Sequence, residues 1–287
     1  MAIKNRYDFV MIFDVENGNP NGDPDAGNSP RVDAETGYGY ITDVCLKRKI
    51  RNYVELCEEG KQGYNILIKP DKSLNAKFAE AYDAEGIEHK KEKSKNPDDI
   101  KKARDYMCRN YFDVRTFGAV MSTGDDPCGI VRGPVQINFA RSLSPVSIQD
   151  VTITRQAKTN EARSEKGGDS EMGKKSIIPY AAYRAEGYVS AALANKVTGL
   201  SDEDIEILWN AIINMFENDH SAARGKMCMR KLFVFKHDSI LGNCPSHILF
   251  DKIEVKQKSD FPPRAFSDYD LIVDRNMPDG VELIEKL

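Results

Sequence analysis

The residues of this chain that could do chemistry fall into small groups, and each group specifies a different reaction. Gly168-Asp-Ser-Glu-Met-Gly173-Lys174-Lys175 is one residue away from GxxxxGK[ST], the loop whose amides and lysine hold phosphates while its hydroxyl holds magnesium. Lys175 replaces that hydroxyl, and a charged segment replaces the buried strand that must precede the loop, so nucleotide hydrolysis is not expected. Asp23, Asp25 and Asp33 crowd an early loop and could hold a cation or act on a phosphodiester. In a stretch so rich in glycine, asparagine and proline they read first as turn formers. Six cysteines (Cys45, Cys57, Cys108, Cys128, Cys228, Cys244) include no CxxC pair, and His89, His220, His237 and His247 show neither HExxH nor Cys/His ligand spacing. They read as reduced thiols and ordinary histidines, His220 as a helix-end charge. Gly37-Tyr-Gly39 lacks the rest of a dinucleotide fingerprint, and no GxSxG elbow is present. No nucleophile and base pair up, so the expectation is no catalytic residue, no metal, no cofactor, and a protein that is not an enzyme.

Lysine and arginine are the more informative residues. A net charge of −4 argues against a nucleic-acid partner only if charge is spread evenly. Lys47, Arg48, Lys49 and Arg51 cluster without an acid, as do Arg224, Lys226, Arg230 and Lys231. Residues 90–109 are basic but broken by Glu92, Asp98, Asp99 and Asp105, and the chain from Asp251 onward carries much of the balancing negative charge. This segregation predicts one basic and one acidic surface, although each run taken singly reads as a solvated face.

The elements that must position these groups follow from patterning. The 287 residues are 40% hydrophobic and 30% charged, which excludes disorder and collagen-like architectures and suffices for a real core. No apolar run approaches the ~20 residues of a membrane span, and the start enters a strand at once, leaving no secretory signal; a cytoplasmic protein is expected. Residues 7–15 predict a strand, ending in a Gly/Asn/Pro-rich loop over 16–30 that can present backbone amides to an anion. A helix is predicted over 42–58, capped by Thr42, with Val44, Ile50, Val54 and Cys57 buried and with Lys47, Arg48 and Arg51 on a solvent face that grips phosphates. Residues 71–110 predict a charged, peripheral helical insertion, and 112–121 a short helix capped by Asp113. Val135, Ile137 and Phe139 alternate on the buried face of a strand over 133–141. Residues 155–175 contain no branched aliphatic residue and read as a protruding arm. A strand over 177–191, a helix over 202–217 with a Ser201/Asp204 capping box, and strands over 227–235 and 248–255 complete the pattern. Leaving out the insertions, the order is βαββαβ.

Seven segments together resemble the backbone-subunit family of type I-C CRISPR Cascade surveillance complexes. They are Asn19-Pro-Asn-Gly-Asp-Pro-Asp25, Thr42-Asp-Val-Cys-Leu-Lys-Arg-Lys-Ile-Arg51, Phe112-Asp-Val-Arg-Thr-Phe-Gly-Ala-Val-Met121, Gly133-Pro-Val-Gln-Ile137, Met172-Gly-Lys-Lys175, Pro179-Tyr-Ala-Ala-Tyr-Arg184 and Met215-Phe-Glu-Asn-Asp-His-Ser-Ala-Ala-Arg-Gly225. The resemblance covers most of the chain and weakens in the charged insertion and the tail.

It implies an α+β fold, a modified ferredoxin-like/RRM βαββαβ palm forming one elaborated domain over 1–287. A helical finger insertion at 71–110, a protruding thumb arm at 145–176 and a C-terminal extension on the palm at 240–287 are implied with it. It also implies a non-catalytic subunit that polymerises along a CRISPR guide RNA and presents it for pairing with target DNA in antiviral defence. Other copies of itself and other Cascade subunits would be its partners, with no membrane. RNA contacts are implied for Asn19, Asn21, Gly22, Lys47, Arg48, Arg51, Arg115, Thr116, Phe117, Met172, Gly173, Lys174, Lys175 and Arg224. Met172, the arm's one sizeable apolar side chain, would wedge against an unstacked base; without the resemblance it reads as an exposed methionine. The segment 12–17 matches the aromatic stacking motif of ordinary RNA-recognition domains poorly, so RNA is expected in loops and helix ends. The competing reading is a metal-dependent ribonuclease of the same fold that cleaves bound target RNA through loop aspartates.

Overall fold

The first strand, β1 (Tyr7–Gly18), sends Phe9, Met11, Phe13 and Val15 into one apolar cluster and Val10 and Ile12 into another. Side chains alternate along a strand, so β1 must run through the middle of a sheet covered on both faces. The structure, a computed structural model, describes residues 1–89, 96–155 and 171–287. Residues 90–95 of the insertion and 156–170 of the arm lie outside the described residues, as does the side chain of Met172.

After β1 the chain forms a two-residue ladder, β2 (Gly22–Asp23) with β3 (Ser29–Pro30), then β4 (Tyr38–Ile41) and α1 (Asp43–Cys57). The insertion follows as α2 (Leu74–Glu85) and α3 (Pro97–Asn110), then α4 (Phe112–Phe117) and the hairpin β5 (Gly118–Met121) with β6 (Gly129–Arg132). Next come β7 (Val135–Ile137), β8 (Ala140–Pro145), β9 (Gln149–Arg155), the long β10 (Glu171–Val189) and the three-residue α5 (Ala191–Leu193). The chain ends with α6 (Asp202–Asn214), β11 (Lys226–His237), α7 (Ser246–Phe250), β12 (Ile253–Gln257), β13 (Tyr269–Val273) and β14 (Val281–Glu285).

The architecture is mixed α/β around one large antiparallel sheet, ordered β14-β11-β1-β10-β8-β4, with β7 and β9 also paired to β10. Helices α1 and α6 cover one face. Trp209 of α6 meets Phe9 edge-on at 5.2 Å, and the Ser201/Asp204 capping box starts that helix as the sequence predicts. The other face, over β1 and β11, lies under Leu249, Phe250 and Ile253 of the C-terminal region.

Several expectations are corrected. In α1 the stripe Leu46, Ile50 and Val54 is buried together with Lys49 and Arg51, whereas Val44 is 67% exposed and Cys57 is exposed. The insertion is not merely peripheral: its Phe78, Tyr82 and Met107 build a second apolar core with Leu67, Met121 and Val131. Asp113 does not cap α4; it is buried and accepts hydrogen bonds from the Leu67 and Ile68 amides at 2.8 and 3.1 Å. The strand over 133–141 breaks after Ile137, so Phe139 turns outward and is 55% exposed. Residues 248–255 form the end of α7 and the start of β12 rather than one strand.

The insertion, α4 and α6 are joined by Arg115, whose Nε and Nη2 donate to the two Asp204 carboxylate oxygens at 2.9 and 2.7 Å. Removing one partner of a buried ion pair leaves a charge without compensation. Arg115→Ala is expected to lower unfolding stability by about 3–5 kcal/mol, read from urea denaturation; a midpoint like that of the parent would refute this role.

Candidate nucleic-acid interface

The site starts where β1 ends. A Cβ on Gly18 would overlap the carbonyl of Arg224, and one on Gly225, at φ +64°, would overlap the Glu16 and Asn17 carbonyls. Glycine therefore lets the loop after β1 and the loop before β11 run backbone against backbone. The Asn19 amide donates to the Ala223 carbonyl at 2.8 Å, closing the contact. Asn19 Nδ2 then donates across the loop to the Asn28 carbonyl at 2.7 Å, and Asn21 Oδ1 accepts from both the amide and hydroxyl of Thr42. Asn21 thus ties the loop to the start of α1. Gly22 is needed because a Cβ there would collide with the Asn28 side chain.

The arm's base approaches the same loop. Lys175 Nζ donates to the Ala222 carbonyl at 3.0 Å, and Ser176 Oγ donates to Asp150 across the β9–β10 pairing. Together these segments enclose a groove of about 280 Å³ lined by Asn19, Asn28, Asp150, Lys174, Lys175 and Ala223. Lys174 and Gly173 are exposed on β10 beside it. Arg224 is anchored by Nη1 to Asp219, while its side chain remains 40% exposed. Asp219 also receives the buried Lys49 ammonium, so one carboxylate fixes α1 and the loop carrying Arg224. The groove presents Lys174 and Lys175, with Arg224 held by Asp219 on the adjoining loop, and its cations suit an anionic backbone.

The structure therefore brings Asn19, Asn21, Gly22, Gly173, Lys174, Lys175 and Arg224 into one neighbourhood. The basic residues of α1 divide differently. Lys47 bridges to Asp43 at 2.8 Å and sits 5.6 Å from the Phe117 ring centre, and Arg48 Nη1 donates to the Ile68 carbonyl. Arg51 is not on the solvent face: it is buried, donating to Asp113 at 2.8 Å and stacked over Phe117 at 5.3 Å. Arg115, Thr116 and Phe117 are likewise buried, because α4 is packed between the insertion and α6. All four lie inside the chain rather than on a solvent face. Asn28, Ser29, Asp150 and Ser176 were missed; the only sequence trace of this turn is Gly27-Asn28, both with positive φ.

The loop aspartates have local tasks. Asp23 caps the turn at Asp25 and pairs with Arg31 at 3.4 Å. Asp33 accepts from the Thr36 hydroxyl at 2.5 Å and from the Glu35 amide, and these bonds, the Thr36 one foremost, hold its carboxyl below the ordinary range.

Residues 5–274 match the family model described as "CRISPR-associated protein Cas7". A CRISPR-associated protein Cas7 of Haloferax volcanii is 27% identical over 243 residues, which is 75% of this chain but 66% of the relative, just under two thirds of its length. Among solved structures, a chain titled "CRISPR RNA-guided surveillance complex, pre-nicking" gives a TM-score of 0.49 at 15% identity, covering 80% of this chain and 78% of that one. A chain of a second "CRISPR RNA-guided surveillance complex" gives 0.47 at 13% identity over 80% and 68% of the two chains.

The contrast between exposed and internal cations is measurable. Lys174→Ala is expected to leave thermal stability unchanged within about 0.5 kcal/mol, as for a surface substitution. Arg51→Ala strands the buried Asp113 carboxylate and is expected to cost about 3 kcal/mol or more. Equal melting temperatures for the two variants would contradict the assignment.

Proposed function

The chain belongs to the Cas7 family of CRISPR-associated proteins, and from that premise we propose that it is a crRNA-binding backbone subunit of a type I-C surveillance complex. In this reading copies polymerise along the guide RNA, in the cytoplasm, and present it with the other Cascade subunits for pairing with target DNA. The observation that carries the reading is the convergence of three separate motifs, at 19–25, 172–175 and 215–225, on one groove. Such a site favours the phosphate backbone of any sequence, as a protein must when base pairing supplies recognition. The covered sheet faces support RNA lying in loops, not stacked on strands.

The RRM-like palm is supported by the strand order β11-β1-β10-β8, in which the last core strand pairs with the first and the first with the third. We assign residues 71–110 to the finger, 145–176 to the thumb and 240–287 to the extension on the palm. No helix among the described residues is long and apolar enough to cross a membrane.

Electrostatic backbone binding has a salt signature. Binding to single-stranded RNA is expected to weaken steeply between two ionic strengths, and the double replacement Lys174→Ala with Lys175→Ala to lower the slope by about one unit per lost phosphate contact. An affinity insensitive to salt would defeat the reading.

We further propose that the subunit is not a nuclease. Asp23 and Asp33 are engaged as turn and cap residues, and a metal-assisted reaction needs carboxylates available to the cation. RNA-loaded protein incubated with labelled complementary RNA and magnesium or manganese is expected to leave it intact. Evenly spaced, chelator-sensitive products that vanish in Asp33→Ala or Asp23→Ala would replace this reading with the ribonuclease one.

A further inference from the structure

The break between β7 and β8 places a large ring in water. Val135 and Ile137 are buried and Ala140 resumes the buried phase, so Asn138 and Phe139 are turned outward and Phe139 is 55% exposed. Its ring lies parallel to Tyr40, 5° between planes and 6.3 Å between centres. Two residues on, the Arg141 guanidinium lies 4.6 Å above the Tyr38 ring centre. Arg51, Arg115, Arg184, Arg224 and Arg230 each hold a carboxylate, whereas Arg141 makes no ion pair among the described residues. It is an exposed planar cation stacked on an aromatic face, with Asp33 near enough to feel its charge.

These groups share one groove of about 540 Å³, formed where β4, β8 and β10 meet and lined by Tyr38, Asn138, Phe139, Arg141, Arg184 and Glu186. Its far wall is rigid: Arg184 Nη2 donates to the Phe250 carbonyl at 2.8 Å, and Arg184 pairs with Glu186 at 2.9 Å. Asn138 Nδ2 is engaged with the Tyr188 hydroxyl at 3.2 Å, which directs the amide and leaves its oxygen as an acceptor. None of the groove's residues belongs to the groove around Lys174 and Lys175.

An exposed ring, a stacked guanidinium, an amide oxygen and a fixed carboxylate suit a flat, polar-edged heterocycle attached to an anion. The two signs of charge disfavour an apolar peptide, and the aromatic surface exceeds what a phosphate alone needs. We propose that this groove is a second single-stranded nucleic-acid contact, holding one unstacked base against Phe139 with its phosphate on Arg141. It rests on the nucleic-acid-binding reading of the chain and adds a site to it.

The test uses the full chain stripped of co-purified RNA and short oligonucleotides carrying 4-thiouridine, crosslinked by near-ultraviolet light and mapped by mass spectrometry. Crosslinks are expected on the peptide containing Phe139 as well as on the peptides around Asn19 and Lys175. Phe139→Ala is expected to weaken oligonucleotide binding about tenfold, the order of one lost stacking contact, with an unchanged melting temperature. Arg141→Lys should keep the salt slope yet lose affinity, because lysine retains the charge but not the planar stack. Crosslinks confined to the Asn19 and Lys175 peptides would overturn this site and leave the proposed function standing. A complete absence of crosslinks and binding would overturn both. Phe139→Ala that leaves RNA affinity intact and abolishes self-association would make the face a contact between copies, and the proposal would fail.

Discussion

Arg115 of α4 is bound at every turn: its guanidinium holds Asp204 through two bonds and reaches the carbonyls of Gly63 and Cys108 at 3.1 and 2.9 Å. From the neighbouring helix α1, Arg51 holds Asp113 of the same α4. A six-residue helix has little stability of its own, so α4 exists because its two charged side chains are neutralised inside the protein. Those two ion pairs tie α1 and α6 to α4, and Arg115's bond to the Cys108 carbonyl ties α4 to the insertion, which otherwise has a separate apolar core. Apolar packing would tolerate several orientations of the insertion. Directional bonds to Asp113 and Asp204 select one, since any rotation would strand a buried charge.

Glycine imposes the complementary constraint, close backbone approach. A Cβ at Gly118 would overlap the Gly133 amide and the Val131 carbonyl, and one at Gly133 would overlap the end of Phe117. The chain thus leaves α4, makes the β5–β6 hairpin and returns to touch its own starting point before entering β7. The same device at Gly18 and Gly225 brings the loop after β1 to the loop before β11. In both places a polar clasp and a glycine contact occur together: Arg115 with Gly118 and Gly133, and Asp219 with Gly18 and Gly225.

The parts legible in sequence were those governed by local rules. The two-faced apolar run of β1, the Thr42 cap and the Ser201/Asp204 box all follow from spacing alone, and each forms. The family motifs also pointed to the loop of Asn19 and the Lys174-Lys175 pair that share a groove. The burial of Arg51 and Arg115 has one physical origin. A charged residue is read as solvent-facing unless its partner is known, and the partners Asp113 and Asp204 lie 62 and 89 residues away. Phe139 failed for a different reason: alternation predicts a phase, and a strand break of two residues resets it.

Charge on the surface consequently differs from charge in the sequence. The run Lys47, Arg48, Lys49 and Arg51 is the most basic segment of α1, yet Lys49 and Arg51 serve as internal counterions and Lys47 is bridged within its own helix. An anionic chain arriving at α1 would have to compete with Asp43, Asp113 and Asp219 for those cations, and two of the three sites are shut from solvent. Counterion release, the source of phosphate affinity, is available only where a cation is exposed and not already neutralised. By that criterion Lys174 and Lys175 outrank α1, and the basic helix acts mainly by fixing Asp219, and through it the loop that carries Arg224. In the function proposed above, a surface built this way would make few strong contacts per copy, so affinity along an extended RNA would rest on repetition of the subunit rather than on any single site.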